Sequence, residues 1–515
     1  MGRWTRSWKI LFTVLALILF LSASARANDA FINDLQQRSF RYFWEQADPN
    51  TGLVPDRARM DGSPLDENHQ NVASSAATGF GLTSLCIAAE RNWIQRADAL
   101  ERTRNTLRFF DARAFQQRGW FYHWLDSRTG ERRWNSEVSS IDTALLLAGV
   151  LTVRQCFAAD AEIVRLATRI YERVDFRWML NGHPLLLSHG WKPETGFLKP
   201  RWDTYSEDTI LYLLAIASPT HPIPPSAWYA LWRDRYRYEG HAYFTTIGVP
   251  LFMHQYAHAW IDYRNRRENR GDRIDYFQNS VAATLAHRAF CMNLAHEFPA
   301  YGPNVWGITA SDSAKGYLAW GGPPRDPDID GTVVPSAAGG SLMFTPELAT
   351  LALQTMHEKY GRTIYGRYGF VDAFNPQTGW TDTDVIGINA GIILLSAENM
   401  RSGNVWRWFM RNREMGRALD RIGLLTRAQP RRQGSLRATE TGMAVPQWRR
   451  ANAGTTSAPR DTHPRSLALS ISRSRSGDPA RRWYTKIYPA SDSESERSTR
   501  AWSTRDHTGE SRRGS

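Results

Sequence analysis

The spacing of apolar residues between positions 30 and 415 is the feature that most constrains how this chain can fold. Apolar side chains recur there every three or four residues, and alternation with a period of two is scarce. The first spacing places apolar groups on one face of an α-helix, whereas a half-buried strand requires the second. The sequence therefore predicts an all-α domain over residues 28–420.

Gly- and Pro-rich connections, such as Gly321–Pro324, separate the predicted helices. This arrangement suits helical hairpins wrapped into a ring, although periodicity does not distinguish such a ring from an irregular helical bundle. The predicted helices span 30–45, 73–92, 96–116, 138–157, 160–173, 205–217, 225–236, 249–266, 273–298, 310–316, 346–359 and 385–412.

Residues 1–27 have the composition of a secretory signal peptide. Arg3, Arg6 and Lys9 precede an apolar run, and Ala25-Arg26-Ala27 supplies small residues for cleavage. The alternative is a membrane anchor, but the apolar run of about a dozen residues is shorter than the roughly 20 that a spanning helix needs. We expect an exported protein, periplasmic or secreted, with no membrane-spanning segment after cleavage.

Residues 421–515 are rich in Arg, Ser, Thr and Gly and lack apolar periodicity, which predicts a disordered basic tail. They hold 19 of the 64 Lys and Arg residues but 8 of the 51 Asp and Glu residues, so they account for most of the net charge of +13. The basic balance of the chain is therefore no evidence for nucleic-acid binding by the folded domain. Binding of the tail to an anionic cell surface stays open.

The cysteines and histidines give no support for a disulfide framework or a metal centre. Cys86, Cys156 and Cys291 are odd in number and lie in apolar stretches. His254 and His258 are one helical turn apart, but a third metal ligand is not evident. We expect these histidines to be polar lining of a cleft or core residues, and we expect no metal and no cofactor.

Pairs of acidic residues stand at the start of three apolar helices, each a few residues after a Trp. Glycoside hydrolysis uses one protonated acid and one carboxylate, so these pairs suit that chemistry. The alternative is helix capping, because Ser139-x-x-Asp142 and Thr204-x-x-Glu207 resemble capping boxes. The pairs are Glu137 with Asp142, Glu207 with Asp208, and Asp382 with Asp384.

Tryptophan is abundant, with 21 residues, and several lie beside loop residues. Trp faces stack on sugar rings, so these residues are candidates for a carbohydrate-binding cleft, and core packing is the alternative for each. The candidates are Trp120, Trp134, Trp202, Trp306, Trp320 and Trp380.

Long segments in one order resemble the glycoamylase-like domain family, which includes endo-β-1,2-glucanases of glycoside hydrolase family 144. The matching segments include SFRYFWEQADPNTGLVPDR, NSEVSSIDTALLLAGVL, PLFMHQYAHAWIDYR, WGITASDSAKGYLAWGGPP and YGFVDAFNP. The resemblance implies an (α/α)6 barrel that acts on β-1,2-glucan with inversion. Position by position, Glu137 and Glu207 resemble the acids that family members place in the cleft, with Asp142 close to the first. We expect Glu207 to be the general acid and Glu137 the base that positions water, with Asp142 holding a sugar hydroxyl or tuning Glu137.

An oligo- or polysaccharide is the expected partner, bound by a monomer. The residues expected to bind it are Trp134, Tyr205, Asp208, His254, His258, Trp306, Tyr317, Trp380 and Asp384.

One position departs from the family, whose members read IDQGP where this chain has INAGI, so that Asn389 replaces an acid. This substitution keeps open a glycan-binding protein without turnover. A polysaccharide lyase is a further alternative, with His254, His258 and Tyr205 as candidate catalytic groups. A glucan-forming transferase or phosphorylase is less favoured, because an exported protein lies outside the compartment of nucleotide sugars.

Overall fold

The computed structural model describes residues 28–246 and 250–426. The predicted signal peptide at 1–27 and the tail beyond 426 lie outside the described residues. The helices are α1 (28–46), α2 (Ser75–Glu90), α3 (Arg96–Ala112), α4 (Ser140–Cys156), α5 (Ala161–Glu172), α6 (Phe176–Met179), α7 (Thr209–Ala217), α8 (Tyr256–Trp260), α9 (Tyr276–Asn293), α10 (Pro335–Gly339), α11 (Pro346–Ile364), α12 (Gly387–Arg401), α13 (Asn404–Met410) and α14 (Arg413–Arg421). Three 3-10 helices span Pro225–Ala230, Leu251–His254 and Leu294–His296.

Short antiparallel strands connect the helices. The strands are β1 (Arg57–Arg59), β2 (Val72–Ser74), β3 (Gln116–Gln117), β4 (Trp120–Phe121), β5 (Trp124–Asp126), β6 (Val138–Ser139), β7 (Gly190–Lys192), β8 (Gly196–Phe197), β9 (Asp234–Tyr238), β10 (His241–Thr245), β11 (Arg266–Glu268), β12 (Tyr365–Gly366), β13 (Gly369–Phe370), β14 (Phe374–Asn375), β15 (Trp380–Thr381), β16 (Asp384–Ile386) and β17 (Leu424–Thr426). They pair as β1–β16, β2–β5, β3–β4, β6–β7–β8, β9–β10, β11–β17, β12–β13 and β14–β15.

Buried and half-buried helices alternate along the chain, which gives a helix-on-helix architecture. Helices α2, α4, α7 and α12 are buried around nearly their whole circumference. Helix α5 buries only one stripe, which includes Ile163, Leu166 and Ile170 at helical spacing, and α3 and α11 are also partly exposed. Helices that are apolar all round lie inside, and amphipathic helices cover them. The prediction of a mainly helical α/α domain is confirmed.

Small residues allow the inner helices to pack closely. A Cβ atom on Gly79 of α2 would lie 2.2 Å from the Leu145 carbonyl oxygen of α4, and one on Gly149 would lie 2.1 Å from the Gly79 carbonyl oxygen. Both distances are far below van der Waals contact, so the two backbones touch only because glycine occupies these positions. Gly391 similarly brings α12 against the Phe80 ring of α2.

Several inner helices begin at the same end of the molecule. Strands β2, β6 and β16 lead directly into α2, α4 and α12. Ser74 and Ser139 cap α2 and α4, and each side-chain oxygen accepts a backbone N–H from the first helical turn. The strand pairs tie the intervening loops to this end. Side chains just before each helix are thereby brought toward one region.

Some predicted helix bounds were wrong. Residues 310–316 form a turn closed by a bridge between Ser311 and Leu318. Residues 225–236 divide into a 3-10 helix and the start of β9, because Leu231 has an extended backbone. Residues 249–266 contain only two short helices, and 385–412 is broken at Gly403, whose φ of 66° ends a regular helix.

The described fold continues past the predicted boundary at residue 420. Strand β17 pairs Leu424 with Glu268 of β11, which adds a hydrogen-bonded element after α14. Among the described residues, no helix is both long and apolar enough to cross a membrane.

Candidate active site

His123 joins two of the predicted catalytic acids at the start of α4. Its Nδ1 lies 3.2 Å from Oε1 of Glu137, and its Nε2 lies 3.5 Å from Oδ1 of Asp142. Ser139 donates its hydroxyl hydrogen to the other oxygen of Asp142. Both carboxylates are buried, at 9% and 8% exposure, so their charges depend on these partners.

The three groups differ in pKa because of their mutual charges. Burial lowers the pKa of His123, but the carboxylates of Asp142 and Glu137 outweigh it and raise the pKa to about 9. Burial raises the pKa of Glu137, but the hydrogen bond and positive charge of His123 outweigh it and lower the pKa to about 2. Burial raises the pKa of Asp142 despite the opposing effect of His123. Glu137 is therefore ionised at neutral pH.

Glu207 lies immediately before α7 and has the opposite environment. It is 1% exposed, and neither of its side-chain oxygens has a hydrogen-bond partner among the described residues. Burial and, to a smaller extent, the nearby Asp142 carboxylate raise the pKa of Glu207 to about 7. Asp208 is fully buried beside it, and burial and the charge of Glu207 raise its pKa well above the usual range. His123, Glu137, Asp142 and Glu207 are called the acid–base cluster below.

Helix capping explains one of the two predicted capping boxes. Ser139 does cap α4, and it accepts the Asp142 backbone N–H. At α7 the capping position is Asp208, which makes no side-chain capping bond. A buried carboxyl with a raised pKa is typical of a general acid and unlike an exposed cap. The arrangement favours a chemical function for Glu207.

A second group of acids surrounds Arg57 in β1. Its guanidinium lies 3.2 Å from an oxygen of Asp56, 2.8 Å from Asp312 and 3.5 Å from Asp384. Arg59 also pairs with Asp384, at 2.8 Å. Oxygens of Asp312, Asp382 and Asp384 lie within 4.8 Å of one another, a spacing that suits a cation. Arg57 already neutralises two of them. Arg57, Asp312, Asp382 and Asp384 are called the Arg57 cluster.

A buried chain of hydrogen bonds runs from Tyr256, whose hydroxyl is near the acid–base cluster, to Asp312 of the Arg57 cluster. The Tyr256 hydroxyl donates to Oδ1 of Asn389 at 3.1 Å, and Asn389 donates through Nδ2 to Asp372 at 2.6 Å. Asp372 accepts the backbone N–H of Asp312 at 2.8 Å. Burial raises the pKa of Tyr256 well above its usual range, and the Glu207 and Asp372 carboxylates contribute. Tyr256 is therefore close to both clusters.

The remaining predicted binding residues fall into two groups. Trp134 is 39% exposed, and its ring contacts Trp124, which stacks on His123 at 3.8 Å. Tyr317 is 36% exposed and Trp380 is half-buried. Only this first group has open surface available to a ligand.

The second group lies in the core. His254 and His258 are each 2% exposed, and burial lowers the pKa of each to about 3, so both are neutral. Tyr205 contacts His254, with its hydroxyl 3.5 Å from Nδ1. Trp306 is fully buried in an apolar cluster, and Trp120, Trp202 and Trp320 are also buried. These four indoles therefore do not line an open cleft; they pack in the apolar core, which is the alternative that the sequence left open for each.

Sequence reasoning missed five residues that complete the site: His123, Tyr256, Arg57, Asp312 and Asp372. Tyr256, Asp312 and Asp372 lie in segments that carry the family resemblance, PLFMHQYAHAWIDYR, WGITASDSAKGYLAWGGPP and YGFVDAFNP. That was the available signal. His123 has no local motif, because strand pairing brings it to Glu137 from 14 residues away.

The chain is similar to known proteins over nearly all its described length. Residues 199–413 match the Glycoamylase family model, described as putative glucoamylase. A curated relative, exo β-1,2-glucooligosaccharide sophorohydrolase (non-reducing end) from Parabacteroides distasonis, is 26% identical over 433 residues, which are 77% of this chain. The chain spans 58% of that relative's length.

Two solved structures are also similar. An endo-β-1,2-glucanase from Chitinophaga pinensis, in complex with sophorotriose and glucose, is 31% identical with a TM-score of 0.70, and the match covers 77% of this chain and 98% of the other. A putative glucoamylase from Bacteroides caccae is 30% identical with a TM-score of 0.71, and the match covers 78% of this chain and 100% of the other.

Proposed function

Since the chain belongs to the glycoamylase-like family of glycoside hydrolases, we propose that it cleaves β-linked glucan and that its substrate is β-1,2-glucan. One observation carries the proposal beyond the family likeness. The acid–base cluster holds a buried carboxyl with a raised pKa, Glu207, whose neighbour Asp142 shares His123 with an ionised carboxylate, Glu137. Two carboxyls whose pKa values are pushed apart are what glycoside hydrolysis requires.

Glu207 is the general acid in this proposal. Its pKa of about 7 keeps a proton available at neutral pH, and it makes no ion pair with a cationic side chain of the described residues. It donates that proton to the glycosidic oxygen as the bond to the anomeric carbon breaks. The buried carboxylate that remains after this proton transfer is stabilised by the positive charge that develops on the sugar ring.

Glu137 is the base. It is ionised, and it orients a water molecule and takes the water's proton as the oxygen attacks the anomeric carbon. Attack from the face opposite the leaving group inverts the configuration. Such a mechanism places the two working carboxyls roughly 6.5 to 9.5 Å apart, which leaves room for the water. Asp142 acts on Glu137 through their shared neighbour His123.

Substrate binding is assigned to the exposed residues beside the acid–base cluster. Trp134 presents an open aromatic face next to Trp124 and stacks on a glucose ring. Tyr317, Trp380 and Asp384 are further candidates at the same end of the fold. Asp208, Tyr205, His254, His258 and Trp306 support the site from the core.

The finer architecture is part of the same proposal. The helices close into an (α/α)6 barrel whose inner ring consists of α2, α4, α7, α8, α10 and α12. Cleavage after residue 27 exports a monomeric domain to the periplasm or the medium, followed by the basic tail. The support is the charge and apolar pattern of residues 1–27 and the alternation of buried and half-buried helices.

The lyase alternative loses its candidate base in the structure. A lyase needs an accessible His or Tyr and a cationic group for an acidic sugar, but His254, His258 and Tyr205 are core residues. The arginine near the site, Arg57, is already paired with acids. A glycan-binding protein without turnover remains the alternative outcome of the experiment.

The test uses the full chain with linear β-1,2-, β-1,3- and β-1,4-glucans, and products are followed by chromatography. We expect oligosaccharides from β-1,2-glucan alone and none with Glu137→Gln. Glu101→Gln, an exposed acid on α3, is the matched control and keeps full activity. Binding of β-1,2-glucan without products would identify a glycan-binding protein instead.

A further inference from the structure

His123 occupies a fixed position between two carboxylates. Its backbone N–H donates to the Glu137 carbonyl oxygen at 3.0 Å, and its own carbonyl oxygen accepts the Ser75 N–H at 3.2 Å. Its ring stacks on Trp124, with centroids 3.8 Å apart and planes 18° from parallel. The backbone of α2's first residue and the Trp124 ring therefore both fix where the imidazole lies.

The geometry of the ring nitrogens determines its protonation state. Nδ1 lies within hydrogen-bond distance of a Glu137 oxygen, at 3.2 Å, and Nε2 lies 3.5 Å from an Asp142 oxygen, so each nitrogen has a carboxylate as its neighbour. A neutral imidazole has one donor and one acceptor, so one of its nitrogens would present a lone pair to a carboxylate. Only the imidazolium donates to both. Asp56 also acts on this ring, and its negative charge favours the imidazolium. Lys192 of β7 is a second positive charge that favours ionised Glu137, and its effect is smaller than that of His123.

We propose that His123, as an imidazolium, is a positioning residue that holds Glu137 ionised and aligned and couples it to Asp142. This role rests on the proposed function, in which Glu137 is the base. The names of the similar proteins and the matching family model give no role to His123. The proposal also explains in physical terms how Asp142 can tune Glu137.

The role follows from the charges of the cluster. Without a cation between them, Glu137 and Asp142 would be two buried carboxylates that repel each other, and one would bind a proton. A protonated Glu137 is too weak a base to take the water's proton. Because His123 favours the ionised form of Glu137, Glu137 can act as the base down to a lower pH.

The first experiment measures kcat/KM against pH for the wild type and His123→Gln. Gln keeps much of the side chain's size and one donor but removes the charge. We expect the acidic limb of the profile to move to higher pH by about one to three pH units, since a nearby opposite charge lowers a carboxyl pKa by about that much. KM at the pH optimum changes little, and the charged variant His123→Lys moves the limb part of the way back.

His287→Gln is the matched control. His287 is also buried, but it donates to or accepts from backbone groups, with Nδ1 at 2.7 Å from the Gly322 carbonyl oxygen and Nε2 at 2.9 Å from the Ile308 nitrogen. Its loss is expected to lower stability without moving the acidic limb. A His123→Gln profile that keeps the wild-type limb, at any activity, would overturn the positioning role and leave the hydrolase proposal standing.

NMR titration of histidine-labelled protein gives a readout that needs no substrate. We expect one imidazole, absent in His123→Gln, to titrate near pH 9 and to titrate lower in Glu137→Gln. Titration of that imidazole at its ordinary pH would overturn the role whichever glucan is cut. If the wild type cuts no glucan, the proposed function fails, and the positioning role fails with it.

Discussion

Two groups of acids lie at the same end of this fold, and they differ in how their charges are balanced. In the Arg57 cluster, one guanidinium pairs with Asp312 and Asp384, and Arg59 pairs with Asp384 as well. In the acid–base cluster, His123 serves Glu137 and Asp142, while Glu207 has no ionic partner among the described residues. The residue types are the same, but the partners are not.

The difference separates Glu207, a buried acid without an ionic partner in the described part of the chain, from the acids that are paired. A paired carboxylate in a protein interior stays ionised and fixes the elements that carry it. A buried carboxyl without a partner keeps its proton to a higher pH and can give it away. The ion pair of Arg57 and Asp384 links β1 to β16. Among the described residues, the side chain of Glu207 makes no ion pair that would link two elements in this way. Each of the following predictions tests this distinction.

The largest effect is expected from Glu207→Gln. Removing a general acid typically lowers kcat by about 10² to 10⁴-fold, and Gln retains the shape of the side chain. The thermal unfolding temperature should not fall, because a neutral amide is easier to bury than a carboxyl near Asp142. The turnover rate and the thermal unfolding temperature, both at pH 7, measure the effects on catalysis and on stability. A variant that is unstable yet turns over at the wild-type rate would place Glu207 among the structural acids.

Arg57→Gln should have the converse result. It leaves Asp56 and Asp312 without their cation and leaves Asp384 with Arg59 alone, and breaking a buried ion pair costs about 3–5 kcal/mol. The loss should appear in urea unfolding. Arg108→Gln is the control, because Arg108 is 53% exposed and its ion pair with Glu162 lies at the surface, so its loss costs at most about 1 kcal/mol. Equal effects of the two arginines would show that the Arg57 cluster is not a structural unit.

The pH dependence of the free energy of unfolding should reflect the raised pKa of Glu207. Its pKa rises from 4.5 in the unfolded chain to about 7 in the folded protein, so the folded state binds the proton more tightly. Stability therefore falls as pH rises through that window, by about 3 kcal/mol at 1.36 kcal/mol per unit. Urea unfolding at pH 4.5 and pH 8 measures the fall, which should be smaller in Glu207→Gln. An equal fall in the variant would show that Glu207 has an ordinary pKa.

The sequence predicted the helical architecture well, because periodicity reports directly which faces are buried. The stripe of α5 and the apolar length of α4 both follow from the spacing of apolar residues along the chain. Short loops and strands were predicted poorly. The prediction of a helix over 310–316 was wrong because the backbone there is set by the bridge from Ser311 to Leu318, which spacing alone does not reveal.

The site was predicted only where the residues lie at a helix start. Glu137, Asp142 and Glu207 stand beside apolar helices and were identified. His123 and Asp372 reach the site through strand pairing and loop folding, which depend on residues distant in sequence. Trp306 was predicted to bind substrate because it follows loop residues, but loop position does not report exposure. Whether a buried acid is reactive depends on the groups that contact it, and the sequence does not show which groups those are.

Asn389 is part of the hydrogen-bond chain from Tyr256 to Asp312, and Asn389→Asp is expected to have the smallest effect. The variant replaces the Nδ2 donor, 2.6 Å from Asp372, with a carboxylate, so two buried acids face each other and share one proton. Losing that bond costs about 1–3 kcal/mol at pH 7 and less at acidic pH. The double variant Asn389→Asp, Asp372→Asn restores one amide facing one carboxylate and should recover the stability.

Activity in Asn389→Asp should stay within about tenfold of the wild type, because Tyr256 can still donate to position 389. A gain of more than tenfold would show instead that the amide limits turnover and that the acid–base cluster extends to Asp372.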